Sequence, residues 1–129
     1  MDFNKLGVNL ATVTANISKD HNLADAFQQR LVSMINDFNL SIDKDCEVGL
    51  QLCNFGQKIT FYITDIGYWN PSLIHFYGID TETNNEVELI QHVSQINVLL
   101  IKLPKLKPEE PKRPIGFNTW EEFEESKNE

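Results

Sequence analysis

Glu47-Val48-Gly49-Leu50-Gln51-Leu52 alternates apolar with polar or small residues, and Ile59-Thr60-Phe61-Tyr62-Ile63-Thr64 does the same after Asn54-Phe55-Gly56-Gln57. A period of two marks a strand with one buried face. Two such runs joined by a short Asn/Gly loop read as an antiparallel hairpin. Downstream, residues 67–72 read as a loop, 73–79 as a third strand, 80–85 as a turn and 87–90 as a fourth strand. Upstream the period lengthens. Leu23, Phe27, Leu31, Met34, Ile35 and Phe38 follow the i, i+3, i+4 spacing of a helix with one buried stripe, with Asn22 as its N-cap. Leu6, Leu10, Val13 and Ile17 make a weaker stripe before it. The fold class is α+β: an N-terminal helix packed on a four-stranded antiparallel meander.

Residues 91–103 read two ways. Val93, Ile96, Leu100 and Leu103 have helical spacing, which tilts the reading to helix, whereas Val98-Leu99-Leu100-Ile101 suits a buried strand. A further helix or strand at about 92–103 is therefore expected. Beyond it, Pro104, Pro108, Pro111 and Pro114 impose an extended, semi-rigid backbone. The expected division is a single α+β domain at 1–103 and an extended C-terminal arm, Pro/Lys-rich and ending in an acidic tail, at 104–129. Within that tail Asn118 is a candidate cap for a short amphipathic turn, with Trp120 and Phe123 on its apolar side.

Composition sets bounds on function. With 129 residues, 41% hydrophobic and 23% charged, the chain is long enough for one core without disulfide or metal staples. A net charge of −8 argues against broad binding to nucleic acid or to an anionic membrane. The sum conceals a pattern. Five of the eleven bases, Lys102, Lys105, Lys107, Lys112 and Arg113, fall within residues 102–113, beside only Glu109 and Glu110. A small anion has one local place to bind. No apolar run reaches the roughly 18 residues of a membrane span, and residues 1–5 do not open a secretory signal. Cys46 and Cys53 lie an odd number of residues apart in one expected strand, hence on opposite faces, so both are expected as free thiols in a reducing cytoplasm.

No nucleophile elbow, zinc motif or phosphate-binding loop is present, and no cofactor, metal or catalytic set is expected. His75 and His92 lie in and after neighbouring strands, which leaves open a two-histidine phosphodiesterase. Only His92-Val93-Ser94 has the His-x-Ser form such a site uses. A second constellation is aromatic and polar: Tyr68, Trp69 and Ile74-His75-Phe76-Tyr77, followed by Gln91, His92, Ser94, Gln95 and Asn97. Flat rings with amides and hydroxyls are what a base or ribose needs; equally, the rings fill a core and the polar groups face water. A third is the arm, where Lys112 and Arg113 suit a phosphate. An arm too stiff to fold back could cross onto a neighbour, and the alternative is a solvated tail.

The stretches Ser72-Leu73-Ile74-His75-Phe76-Tyr77-Gly78, then residues 87–97, and Arg113-Pro114-Ile115-Gly116-Phe117 resemble a family of small bacterial and phage proteins of mostly unknown function. They are also similar to the phage Thoeris anti-defence proteins, sponges for nucleotide immune signals. The resemblance implies a non-enzymatic homo-oligomer that binds and sequesters a cyclic ADP-ribose isomer, with cyclic dinucleotides as further ligands. It places the protein in the cytoplasm, that of the host if phage-encoded. By position it implies Phe76 stacking on a base beside Tyr77, Gln91, His92 and Gln95 lining the pocket, and Lys112 and Arg113 meeting phosphate. Pro114 after Arg113 departs from the two basic residues usual before Ile-Gly-Phe. A protein–protein interaction or inhibitor module using the acidic tail is the competing expectation.

Overall fold

The alternation that starts at Glu47 becomes one face of a sheet turned toward a helix. The computed structural model describes residues 23–54 and 56–128. Helix α1 (Ala24–Ser41) leads into strands β1 (Cys46–Asn54), β2 (Gln57–Trp69), β3 (Leu73–Asp80) and β4 (Glu86–His92). A single 3-10 turn (Val93–Gln95), strand β5 (Leu99–Pro104) and a short helix α2 (Trp120–Ser126) complete the order. The strands make one antiparallel sheet, β4-β3-β2-β1-β5. The α+β class and the four-strand meander are as expected. Val48, Leu50, Leu52, Phe61, Ile63, Ile66, Ile74 and Phe76 form the core with Val32 and Ile35 of α1. Apolar burial of this kind, at roughly 25 cal/mol per Å², is what holds helix to sheet.

Three expectations change. Residues 91–103 are not a helix: after the short turn the chain crosses to the far edge and β5 pairs antiparallel with β1, Leu100 opposite Leu50 and Ile101 opposite Gly49. The reason is the open hydrogen-bonding edge of β1, a long-range partner that local spacing does not reveal. The first half of the expected loop at 67–72 is strand. β2 runs on to Trp69 because a bulge between Ile63 and Asp65 re-registers it against β3. Gly67 then sits under the Tyr77 ring, 3.3 Å from where a β-carbon would be. Finally, the helix stripe is rotated. Met34 is 61% exposed, while Asn36 and Asn39 are buried.

The cap also comes from elsewhere. Leu23 is the N-cap residue and its side chain makes no cap bond. Instead the β2–β3 turn supplies acceptors, Asn70 Oδ1 taking Asp25 N–H at 3.0 Å and Pro71 O taking Ala24 N–H at 2.9 Å. These satisfy donors that every helix start leaves orphaned. Asn22, His21 and the stripe of Leu6, Leu10, Val13 and Ile17 lie outside the described residues.

The buried asparagines tie α1 to two other elements. Asn39 Oδ1 accepts from Val48 N–H at 3.1 Å, at the start of β1. Asn36 makes a two-point bond to the arm, Nδ2 donating to Ile115 O at 2.9 Å and Oδ1 accepting from Ile115 N–H at 2.8 Å. Ile115 is itself in the core. The arm thus folds back on the helix of its own chain. Its end is the amphipathic helix α2, capped by Thr119, not Asn118: Thr119 Oγ1 accepts from Glu122 N–H at 3.1 Å. Glu122 Oε2 in turn accepts from Asn118 N–H at 3.1 Å, a variant of the capping box. Phe123 is buried beside Phe117 and Trp120.

One close approach in the sheet is testable. A β-carbon at Gly78 would lie 2.3 Å from Tyr62 O and 2.3 Å from Phe61 Cδ2. Since a carbonyl of the neighbouring strand cannot swing aside, Gly78→Ala is expected to cost about 1–3 kcal/mol by urea unfolding. A change inside roughly 0.5 kcal/mol, typical of an uninvolved surface site, would contradict the seating of Phe61 over β3.

Candidate functional site

Two anchor points bring the basic stretch over the end of the sheet. At the first, Tyr62 donates its hydroxyl to Pro104 O at 2.7 Å, and Glu47 Oε1 accepts from Leu106 N–H at 2.8 Å. A turn follows, closed by Glu110 N–H to Lys107 O at 3.0 Å and braced by Lys105 Nζ donating to Pro108 O and Glu110 O. At the second, Lys112 Nζ donates to Asn39 O at 2.6 Å and Ile42 O at 3.3 Å, the carbonyls that the end of α1 leaves unpaired. Trp120 Nε1 donates to Lys112 O at 2.9 Å, and Asn36 grips Ile115.

Between these anchors the arm roofs a cleft of about 320 Å³, at the low end of the range for ligand pockets. Tyr62, Thr64, Ile79 and Glu47 line it from the sheet, and Lys105, Lys107 and Arg113 from the arm. The cations differ in what they are free to do. Lys105 and Lys112 are occupied by backbone carbonyls. Lys107 and Arg113 are exposed and make no ion pair with another described residue. Burial pushes the Lys112 ammonium below its ordinary range, partly opposed by Cys46 and Asp43. Burial, and secondarily the Glu47 carboxylate, push the Tyr62 hydroxyl up. The phenol therefore stays a donor and keeps the start of the arm, at the end of β5, tied to β2.

The seven residues singled out by the sequence do not converge. Phe76 is fully buried in the core, on the helix side of the sheet, so its ring has no face to offer a base. Tyr77, one residue on, lies on the opposite, open face. Gln91 pairs with Ile74 on the helix side, and its Oε1 is buried with no partner. His92 and Gln95 satisfy each other's neighbourhood: His92 Nδ1 accepts from Ser94 N–H at 3.1 Å and Gln95 Oε1 accepts from His92 N–H at 3.4 Å. That is the work of a turn cap. Lys112 caps α1, and Arg113 alone of the seven lines the cleft.

His75 and His92 do share the open face, on adjacent strands in a diagonal relation. His75 Nδ1 lies 2.9 Å from Glu88 Oε1, while its Nε2 is buried without a partner. Each ring thus has one nitrogen tied into the fold, and neither lines the cleft. Sequence reading missed Tyr62, Thr64 and Ile79. Their signal was the alternation of β2 and β3, which names one face without saying what lies over it. Lys105 and Lys107 were in plain view as part of the basic cluster. Among the described residues no group of three or more His, Cys, Asp or Glu is placed to hold a metal ion. No helix among them is long and apolar enough to cross a membrane.

Compared with known families, residues 16–118 match one whose description is a family of unknown function (DUF6173). The match takes in α1, the whole sheet and the arm, and stops short of α2. It carries no link to the phage anti-defence proteins. No curated protein and no solved structure matches the chain.

Proposed function

The chain belongs to this family of unknown function, and we propose that it is a non-enzymatic binder of a small nucleotide-derived ligand, sequestered in the cleft under the arm. The observation that supports this reading is the placement of Lys107 and Arg113. In a chain of net charge −8, the arm carries two cations that pair with no carboxylate among the described residues to a cleft floored by Tyr62 and Ile79. A guanidinium offers a planar fork to a phosphate, and a phenol and an isoleucine offer apolar surface to a base. The arm is pinned at both ends, so little entropy is lost when a ligand docks.

The ligand class that fits is a phosphate-bearing cyclic nucleotide of the cyclic ADP-ribose kind, held in a host cytoplasm by a homo-oligomer and released unchanged. Calorimetric titration with a panel of cyclic nucleotides, followed by heat release and mass analysis of the ligand, tests it. Intact ligand supports sequestration, and cleaved product overturns it in favour of hydrolysis. Arg113→Ala should weaken binding by roughly 1.5–3 kcal/mol, the worth of a charge-assisted hydrogen bond, with the unfolding midpoint unchanged. Unaltered affinity would remove the arm from the site. A second reading, an interaction module, draws on α2, which turns Glu121, Glu122, Glu124 and Glu125 to solvent while Phe123 anchors it. Absence of binding across the panel would favour it.

A further inference from the structure

We infer that two copies of the chain pair through β4, antiparallel about Leu89, into one ten-stranded sheet. The inference deepens the self-association part of the proposed function and is independent of the ligand. Among the described residues the sheet has two edges, β4 and β5. Natural edges are blunted by lysine, proline or a bulge. β5 carries Lys102 and ends in Pro104. β4, Glu86–His92, carries no lysine, proline or bulge, its charged residues being Glu86 and Glu88, and it pairs with β3 along its whole length without a register shift. Among the described residues no strand pairs with its outward edge, seven residues long.

The side chains of β4 select its own copy as the occupant. A strand pairs antiparallel with itself only about a two-fold axis normal to the sheet, so residues opposite one another share a face. Centred on Leu89, the register sets Glu86 of one copy opposite His92 of the other, Glu88 opposite Ile90, Val87 opposite Gln91, and Leu89 opposite Leu89. All seven residues find partners and no carboxylate faces a carboxylate. Centring one residue earlier puts Glu88 against Glu88, a directly opposed like-charge pair that destabilises a sheet. Centring one residue later leaves Glu86 and Val87 without strand partners, because β4 ends at His92. The favoured register also covers Ile90, which is 54% exposed in the single chain, with the methylene stem of Glu88 from the other copy. Seven residues span roughly 24 Å, and an interface of that length sits at the small end for stable complexes. Dissociation on dilution is therefore expected.

Sedimentation velocity of the full chain across a dilution series tests the pairing. The wild type is expected to reach twice 14.9 kDa at high concentration. Ile90→Glu, at a half-exposed edge position, should stay folded by circular dichroism yet sediment as a monomer, because it sets a carboxylate opposite each Glu88, two like-charge pairs in the dimer. Glu88→Lys in the same chain should restore the dimer, since each new pair is then oppositely charged. A wild type monomeric throughout would overturn both the pairing and self-association. A dimer indifferent to Ile90→Glu, or a double variant that stays monomeric, would overturn the β4 register while leaving self-association standing. Ligand binding is scored separately by calorimetry.

Discussion

Phe76→Ala is expected to remove about 3–5 kcal/mol of stability, the range for deleting a buried phenylalanine ring. Phe76 is fully buried, opposite Ile66 on β2 and Leu89 on β4, in the layer that packs on Val32 and Ile35 of α1. Its removal leaves a ring-sized void between sheet and helix, which a close-packed interior cannot close without distorting the strands. A domain of this size has a total stability of order 5–15 kcal/mol, so the variant should be partly unfolded at room temperature or melt far earlier. Denaturant unfolding measures the effect. A variant with wild-type stability that has lost only ligand affinity would show instead that Phe76 stacks on a ligand, as its neighbourhood in the sequence implies.

The second large effect is expected at Asn36. Its carboxamide makes two hydrogen bonds to the backbone of Ile115, and both partners are buried. Asn36→Leu is close in size but offers neither donor nor acceptor. The Ile115 N–H and C=O are then either buried unpaired, at about 1–3 kcal/mol each, or they leave for water and take the arm with them. A loss of about 2–4 kcal/mol is therefore expected, together with release of residues 105–117 from α1. Limited trypsin digestion reads that release: cleavage after Lys105 and Lys112 should accelerate in the variant, while the sheet persists by circular dichroism. Affinity should fall with it, since Arg113 is positioned by this grip. Unchanged stability and unchanged cleavage would mean that the arm is held by Pro104, Lys112 and Trp120 without Asn36.

What the sequence could reveal follows from the range of each interaction. Strands β1 to β4 were legible because their signal, alternation between turns, is local. β5 was not, since its helical and strand patterns coincide over 98–101 and only the edge of β1, some fifty residues away, decides between them. The phase of α1 was misread for a related reason. Asn36 and Asn39 look solvent-facing until Ile115 and Val48 supply their partners, and Met34 looks buried until those asparagines take its place.

The site was legible by composition and not by geometry. The cluster of bases at 102–113 stands out against an acidic chain, and three of its five members, Lys105, Lys107 and Arg113, line the cleft. Which aromatics face it did not stand out. Ile74 and Phe76 alternate with His75 and Tyr77, so either set could have been the core, and β3 chose the pair that meets α1. Likewise His92 and Gln95 carry chemistry that serves a base as well as it serves a turn, and here the turn uses it.

A backbone amide map of the full chain, recorded while the cyclic-nucleotide panel is titrated in, tests the central claim most directly. Shifts are expected to gather at Tyr62, Thr64, Ile79, Lys107 and Arg113, with the ligand recovered unchanged. Shifts gathered around Tyr77 and His92 on the open face, or no shifts with any member of the panel, would contradict it.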